Sequence, residues 1–347
     1  MTAPETFGAV IVNFRAAGLA IGAARSFLGD GGARAIVVDN RSPDDSWALF
    51  RAFAGGGPAP DAPRPSPIVN RPPTYADLAP DEIACVEDVD AARATPASVR
   101  LVFIKSAANG GFAAGCNLGL AALDGLVGVD ALLLLNPDAA LARGALRAFA
   151  ERLADPGVGL CGASVVGFEA PHRAQAFGGA AMDALHRGFN IGEGATLDDR
   201  PSRAEVEARL AYPLGAAMAC RADYLDVAGY LDERYFLYFE EADWTRAGLP
   251  ARKPAWAPDA IVHHRYGASS ASAKRRVGEP AARSPLSDYH MTRSRILFAR
   301  KWRPLSAPIA RAAGAWQAAQ RIARGRPANA RAVAAAAARP DLPGPRP

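Results

Sequence analysis

Cysteine is scarce: Cys85, Cys116, Cys161 and Cys220 are the only four in 347 residues, widely spaced and without a CxxC pair. That spacing excludes a disulfide-stapled secreted mini-protein and fits a reducing cytosol. No uncharged apolar run reaches the ~18 residues that a membrane span needs. Residues 1–12 lack the basic start, long apolar stretch and small-residue cleavage site of a signal peptide, so a soluble or membrane-peripheral chain is expected. The segment after the first apolar run reads NFRAAG instead of GxGxxG, and no glycine cluster carries the Lys-Ser/Thr of a P-loop. These absences argue against a kinase, a P-loop ATPase or an ordinary NAD-dependent dehydrogenase. Internal repeats are also absent.

What is present is ordinary globular material, 50% hydrophobic and 22% charged. The length allows one large α/β domain with appendages or two smaller domains. The net charge of +5 is unevenly spread. From Ala271 to Pro347, 16 Lys/Arg face only Glu279, Asp288 and Asp341, whereas the rest of the chain holds 24 basic against 32 acidic residues. By charge alone the C-terminal end suits phospholipid, nucleic acid or simply water.

Apolar runs at Phe7–Asn13 and Ala33–Asp39 read as buried strands, with a helical pattern over Ala20–Leu28 between them and a capped helix over Trp47–Phe53 after them. This β-α-β-α opening predicts a mostly parallel sheet with helices on both faces and a ligand crevice beyond the carboxyl ends of the strands. Residues 54–100, Pro-rich and then acidic, read as a partly disordered insertion that leaves the sheet unaltered. The pattern resumes with strand Leu101–Ile104, a glycine-rich loop NGGFAAGCN, helix Leu118–Leu123 and strand Ala131–Leu135, which Asn136-Pro137-Asp138 ends. Helix Ala222–Val227, the block YFLYFEEADW and strand Ala260–Val262 follow. The expected organisation is one domain over 1–302 and a basic Ala/Arg/Pro-rich tail over 303–347. That tail carries a candidate amphipathic helix at Pro308–Arg324 and is disordered after Gly325.

Several residues have the chemistry of a site. Asp138, just past a buried strand, is placed to offer oxygen to a hard cation, though Asn-Pro-Asp also simply makes turns. Glu240, Glu241 and Asp243 crowd among aromatics, where repulsion and desolvation raise a carboxyl's pKa toward that of a general base; an acidic helix start is the plain alternative. His263 and His264 point to opposite faces of a strand, so only one enters a crevice. Asp39 ends a strand, where it would accept hydrogen bonds from a ligand or cap a helix.

In order, the chain shows VIVNF, VVDNRSPDDS, NGGFAAGCNLG, LLLLNPDA, YPLGAAMACRADYLDVAGYLDERYFLYFEEADW and IVHHRYGASS. Over Phe7 to Lys301 this resembles the family 2 glycosyltransferases of the GT-A fold, most closely the rhamnosyltransferase-like branch of bacterial surface-polysaccharide synthesis. The resemblance implies a Rossmann-like GT-A sheet and an inverting cytoplasmic enzyme. Its substrates would be a nucleotide-sugar donor, dTDP-rhamnose or a UDP-sugar, and a glycan or polyprenyl-linked acceptor. It places Val12, Asn13 and Asp39 at the base and ribose, Asn109, Gly111, Phe112, Gly115 and Asn117 along the donor pocket, and Asn136 and Asp138 at the diphosphate. A divalent cation, Mg2+ or Mn2+, would meet Asp138 and His263 or His264. Glu241 matches the general base, with Glu240, Asp243 and Trp244 toward the acceptor or as supports. The tail would touch an anionic membrane face through Trp302, Ile309, Trp316, Ile322, Arg303, Arg311, Arg321 and Arg324, and nucleic acid is not an implied partner. A sugar nucleotidyltransferase and a non-catalytic nucleotide or glycan binder are the alternatives.

Overall fold

The computed structural model describes residues 3–66, 68, 71–265, 283–342 and 344–346. The expected α/β architecture is the one the chain adopts. In chain order the first half runs β1 (Phe7–Asn13), α1 (Ala17–Gly29), β2 (Arg34–Asp39), α2 (Ser46–Ala54), β3 (Ile83–Val86), α3 (Val89–Arg93), β4 (Leu101–Lys105), α4 (Gly111–Leu123), β5 (Ala131–Leu135), β6 (Ala139–Leu141) and α5 (Ala145–Leu153). Next come β7 (Val158–Gly167), β8 (Ala174–Phe177), β9 (Gly179–Met182), β10 (Gly188–Asn190), α6 (Arg203–Arg209), β11 (Tyr212–Pro213), β12 (Ala217–Arg221), α7 (Tyr224–Ala228), α8 (Glu240–Gly248) and β13 (Lys253–His264). The last three helices are α9 (Pro285–Trp302), α10 (Ala307–Ala323) and α11 (Pro327–Ala338).

The main sheet has ten strands in the order β3-β4-β2-β1-β5-β12-β7-β13-β6, with β8 on β7. β3, β4, β2, β1 and β5 are mutually parallel, β12 runs antiparallel between β5 and β7, and β13 is again parallel to β7. Because side chains alternate along a strand, both faces must be apolar for the sheet to be covered twice. Phe7, Ala9, Ile11, Val37, Phe103 and Leu133 enter the core under α1, α2 and α5. Their neighbours Val10, Val12, Ile36, Val38, Val102 and Leu132 enter the core under α4 and α7. The unbroken apolar runs in the sequence are the imprint of that double burial.

Three regions depart from the sequence reading. First, residues 54–100 do alter the sheet, since β3 extends it at the edge by pairing with β4. Its half-buried Ala84, Cys85 and Val86 lie between Asp81-Glu82 and Glu87-Asp88, and that acidic setting hid a four-residue edge strand. Second, most of the glycine-rich NGGFAAGCN is helix, not loop. Gly115 and Gly119 let α4 lie directly on β1, where an added Cβ would sit 2.6 Å from Val12 and 2.3 Å from Val10. Gly115 is therefore a packing residue rather than part of a pocket wall. Third, the chain after Gly325 is helical. Pro327 opens α11, a run of alanine with the highest helix propensity sustains it, and Ala330, Val333, Ala336 and Ala337 are buried.

The last three helices pack on one another. Buried Asp288 of α9 fixes them, accepting two bonds from Arg321 and one from Asn329. The expected interfacial face is accordingly thinned. Arg321 is spent on Asp288, Arg311 on the carbonyls of Ala337 and Ala338, and Trp302 on Asp243, while Ile309 and Trp316 remain 53% and 66% exposed. Among the described residues no helix is long and apolar enough to cross a membrane. Gly267 of the late motif and the cations at 274–276 lie outside the described residues.

Candidate active site

The ends of β1 and β2 are tied together by side chains. Asn13 donates to Asp39 Oδ1 at 3.0 Å and to Ser42 Oγ at 3.2 Å, and its own Oδ1 accepts from Ala16 N–H. Asn40, the next residue after Asp39, bridges to the next loop. Its amide donates to Asn109 Oδ1 at 3.1 Å and to the Gly111 carbonyl at 2.9 Å, and accepts from Gly110 N–H. Asn13, Asp39, Asn109 and Gly111 therefore share one rim beyond the carboxyl ends of the parallel strands, where such sheets bind ligands, while the Val12 side chain packs under Gly115 in the core. Gly111 has φ +89°, and a Cβ there would strike the Phe236 carbonyl, which also accepts from Phe112 N–H at 2.8 Å. Asn117 leaves this set: its amide clasps both backbone groups of Leu231's loop and Glu233, so it is committed to the fold.

Asp138 follows β5 by three residues and is 1% exposed, yet neither carboxylate oxygen has a hydrogen-bond partner among the described residues. His264, at the end of β13, brings Nε2 to 3.3 Å from Asp138 Oδ1 and 3.4 Å from Asn136 Nδ2. Gln175 sets the ring. Its Nε2 donates to the His264 carbonyl at 2.6 Å, which turns its Oε1 toward His264 Nδ1 at 2.8 Å. With Nδ1 turned to Gln175, Nε2 is the ring nitrogen that faces Asp138. A carboxylate oxygen facing an imidazole lone pair repels it unless a proton or a cation lies between them, so the pair fits a hard divalent ion. Among the described residues no third His, Cys, Asp or Glu completes such a group. Gln175, in a region with no strong sequence pattern, had no signal by which to be found.

His263 is the histidine that stays away. It points to the opposite face of β13, is fully buried without a hydrogen-bond partner on either ring nitrogen among the described residues, and is held neutral, burial pushing its pKa down to about 4. The segment 54–100 reaches this neighbourhood too: Asp61, Arg64 and Tyr75 line a cavity of about 140 Å³ together with Asp138.

The acidic block forms the start of α8. Tyr238 and Phe239 both adopt positive φ, 69° and 72°, which costs non-glycine residues of order 1–3 kcal/mol each and turns the chain sharply into the helix. Glu240 and Glu241 follow. Both carboxyl groups lack a hydrogen-bond partner at Oε2 among the described residues. Burial raises the Glu241 pKa to about 7, and burial together with the Glu241 charge holds Glu240 well above the carboxylate range. Asp243 is different: Tyr235 O–H, Lys301 Nζ and Trp302 Nε1 all donate to it, at 3.1, 2.7 and 2.7 Å. Trp244 leaves the acceptor side altogether. It is 1% exposed, packs edge-on against Tyr224 and donates to the Gly229 carbonyl.

A short path of contacts joins the two halves. Asn136 N–H donates to the Ala216 carbonyl at 3.0 Å, and a Cβ on neighbouring Gly215 would lie 3.0 Å from Glu241 Oε1. The structure thus brings Asn136, Asp138, His264 and Glu241 to one end of the sheet and sets His263, Asn117, Trp244 and Gly115 apart from them.

No family model matches the sequence, and no curated protein matches it. Solved structures similar in fold include GalNAc-T7 crystallised with UDP, GalNAc and Mn2+ (11% identity, 84% of this chain and 47% of that one, TM-score 0.49). S. aureus TarS is another (11% identity, 85% and 40%, TM-score 0.46), as is TarS 1–349 in complex with UDP-GlcNAc (14% identity, 85% and 66%, TM-score 0.44). This chain spans less than half the length of the first two. At these values the likeness is distant.

Proposed function

We propose that the protein is an inverting glycosyltransferase of the GT-A type, moving a sugar from a nucleotide-sugar donor to a hydroxyl of a glycan or lipid-linked glycan acceptor. The observation that supports this reading is the placing of two unsatisfied acidic centres, Asp138 beside His264 and Glu241 beside Glu240, at the same end of the sheet, connected through Asn136, Ala216 and Gly215. In this reading Asn13, Asp39, Asn109 and Gly111 form the rim that receives the nucleoside. Glu241 removes the proton from the acceptor hydroxyl as it attacks the anomeric carbon, the nucleoside diphosphate departs from the opposite face, and the configuration inverts. A pKa of about 7 suits that proton transfer at neutral pH. Asp138 and His264 would hold Mg2+ or Mn2+, which when bound offsets the charge of the departing diphosphate.

A thermal-shift screen with dTDP-rhamnose and with UDP- and GDP-sugars, each with and without Mn2+, tests the donor class, since a ligand that binds the folded state raises its apparent stability. At least one nucleotide sugar should stabilise the protein. The Glu241→Gln variant should keep that shift and lose transfer. Stabilisation by none of them would overturn the reading, and product made from nucleoside triphosphate and sugar phosphate would favour the nucleotidyltransferase. Membrane contact in this reading rests on Ile309 and Trp316, exposed on α10, and on Leu305, exposed in the turn just before it. Co-sedimentation with anionic liposomes that is lost in Trp316→Ala supports it, and no co-sedimentation removes it.

A further inference from the structure

A cavity of about 930 Å³, at the upper end of the ~300–1,000 Å³ typical of small-molecule sites, lies outside the site described above. It runs along α8 from Ala242, the residue after Glu241, to the Leu249-Pro250 turn at the helix's far end. Tyr212, Phe298 and Trp302 supply aromatic wall near the Glu241 end. Burial and the Glu241 and Glu240 charges raise the Tyr212 pKa, so its hydroxyl stays protonated and the groove and the acidic pair are electrostatic neighbours.

The groove's charges are unequally satisfied. Each of its acids has a cation: Asp155 and Glu207 both pair with Arg152, at 3.2 and 3.1 Å, and Asp183 pairs with Arg187 at 2.7 Å. Three of its cations have none. Arg246, Lys253 and Arg303 are exposed and make no ion pair among the described residues, and the nearest partner of Arg246 is the face of Trp302, 5.9 Å away. The lining is a paired acidic set with a surplus of free positive charge, spread along a trough longer than one sugar needs.

We propose that this groove holds the acceptor, and that the acceptor is an acidic saccharide bearing carboxylate or phosphate groups. The aromatic end takes the sugar next to Glu241, and Arg246, Lys253 and Arg303 take the oxyanions further along the chain. The assignment of the groove to the acceptor rests on the sugar-transfer reading; the preference for anions rests on the groove alone.

Isothermal titration with trigalacturonate, a phosphorylated trisaccharide and neutral maltotriose tests it, on the full chain and on Arg246→Ala/Lys253→Ala/Arg303→Ala. All three side chains are exposed, so this variant should fold, and its nucleotide-sugar thermal shift should equal that of the parent. One of the two acidic saccharides should bind at least tenfold more tightly than maltotriose, with weaker binding as salt is added and at least a tenfold loss in the variant. The tighter acid tells carboxylate from phosphate. Equal affinity for maltotriose, or unchanged binding in the variant, overturns the proposal. Nucleotide-sugar binding without acidic-saccharide binding also overturns it while leaving the transfer reading intact. Acidic-saccharide binding without any nucleotide sugar supports the anionic groove and defeats the transfer reading instead.

Discussion

The first turn of α8 and the junction of α8 with α9 lie one helical turn apart and treat acids in opposite ways. At the junction, Asp243 is buried to 2% exposure with three donors converging on it, from Tyr235, Lys301 and Trp302. At the first turn, Glu240 is buried to 4% with a like charge beside it and a carboxyl oxygen that no donor reaches among the described residues. A buried acid with all its partners is architecture, because removing it leaves other groups unpaired. A buried acid without partners costs stability, and it persists where its proton affinity is useful. Asp138 is buried too, with His264 beside it and neither carboxylate oxygen hydrogen-bonded among the described residues.

The contrast can be broken most severely at Glu241. Glu241→Gln should lower kcat by about 10²–10⁴-fold, the usual contribution of a general base, with little change in donor affinity. In the parent, kcat/KM should rise with pH through about 7, since the ionised base is the active form, and that limb should vanish in the variant. An unchanged pH profile would remove Glu241 as the base. Asp243→Ala should act the other way, costing about 1–3 kcal/mol in a urea melt by leaving the Tyr235 hydroxyl and the Trp302 indole N–H without their acceptor, while Lys301 keeps Asp232 at 3.0 Å. A loss under 1 kcal/mol would show that the junction is not held there.

Glu240→Gln sharpens the comparison by its sign. The folded-state pKa of Glu240 lies above its ordinary value, so the folded state gains from protonation below pH ~4.5 and loses that gain as pH rises through the folded pKa. The variant should therefore melt higher than the parent at pH 8 and at the same temperature near pH 4. A lower melting temperature at pH 8 would place Glu240 with Asp243. Gly215→Ala should have the smallest effect: a methyl 3.0 Å from Glu241 Oε1 displaces the carboxyl by a few tenths of an ångström and reduces kcat several-fold with stability nearly unchanged.

Much of this was legible before the coordinates, and the physical reason is periodicity. Strands buried on both faces, such as Phe7–Asn13 and Ala131–Leu135, write uninterrupted apolar runs, and an acid at the end of such a run has few places to be. Alternation along β13 also showed that only one of His263 and His264 could join Asp138, though not which. What stayed hidden depends on partners distant in sequence. Asn117 looked like a pocket residue until its amide met Leu231 and Glu233, and Gln175 orients His264 from a segment of no particular pattern. Glycines 111 and 115 read as a loop because their use, close contact of a helix with β1 and with the Phe236 carbonyl, is visible only in three dimensions. The edge strand β3 is four residues long, only partly buried and set among acids, so it carries a weaker signal.

The central claim is that a donor diphosphate held at Asp138 and His264 faces Glu241 across one crevice. Anomalous diffraction from crystals grown with Mn2+ and the nucleotide sugar that gives the largest thermal shift tests it most directly. A manganese peak beside Asp138 and His264, with the sugar's anomeric carbon open to the Glu241 carboxylate, is the predicted result. A metal and diphosphate bound away from Asp138, or a sugar turned away from Glu241, would contradict it.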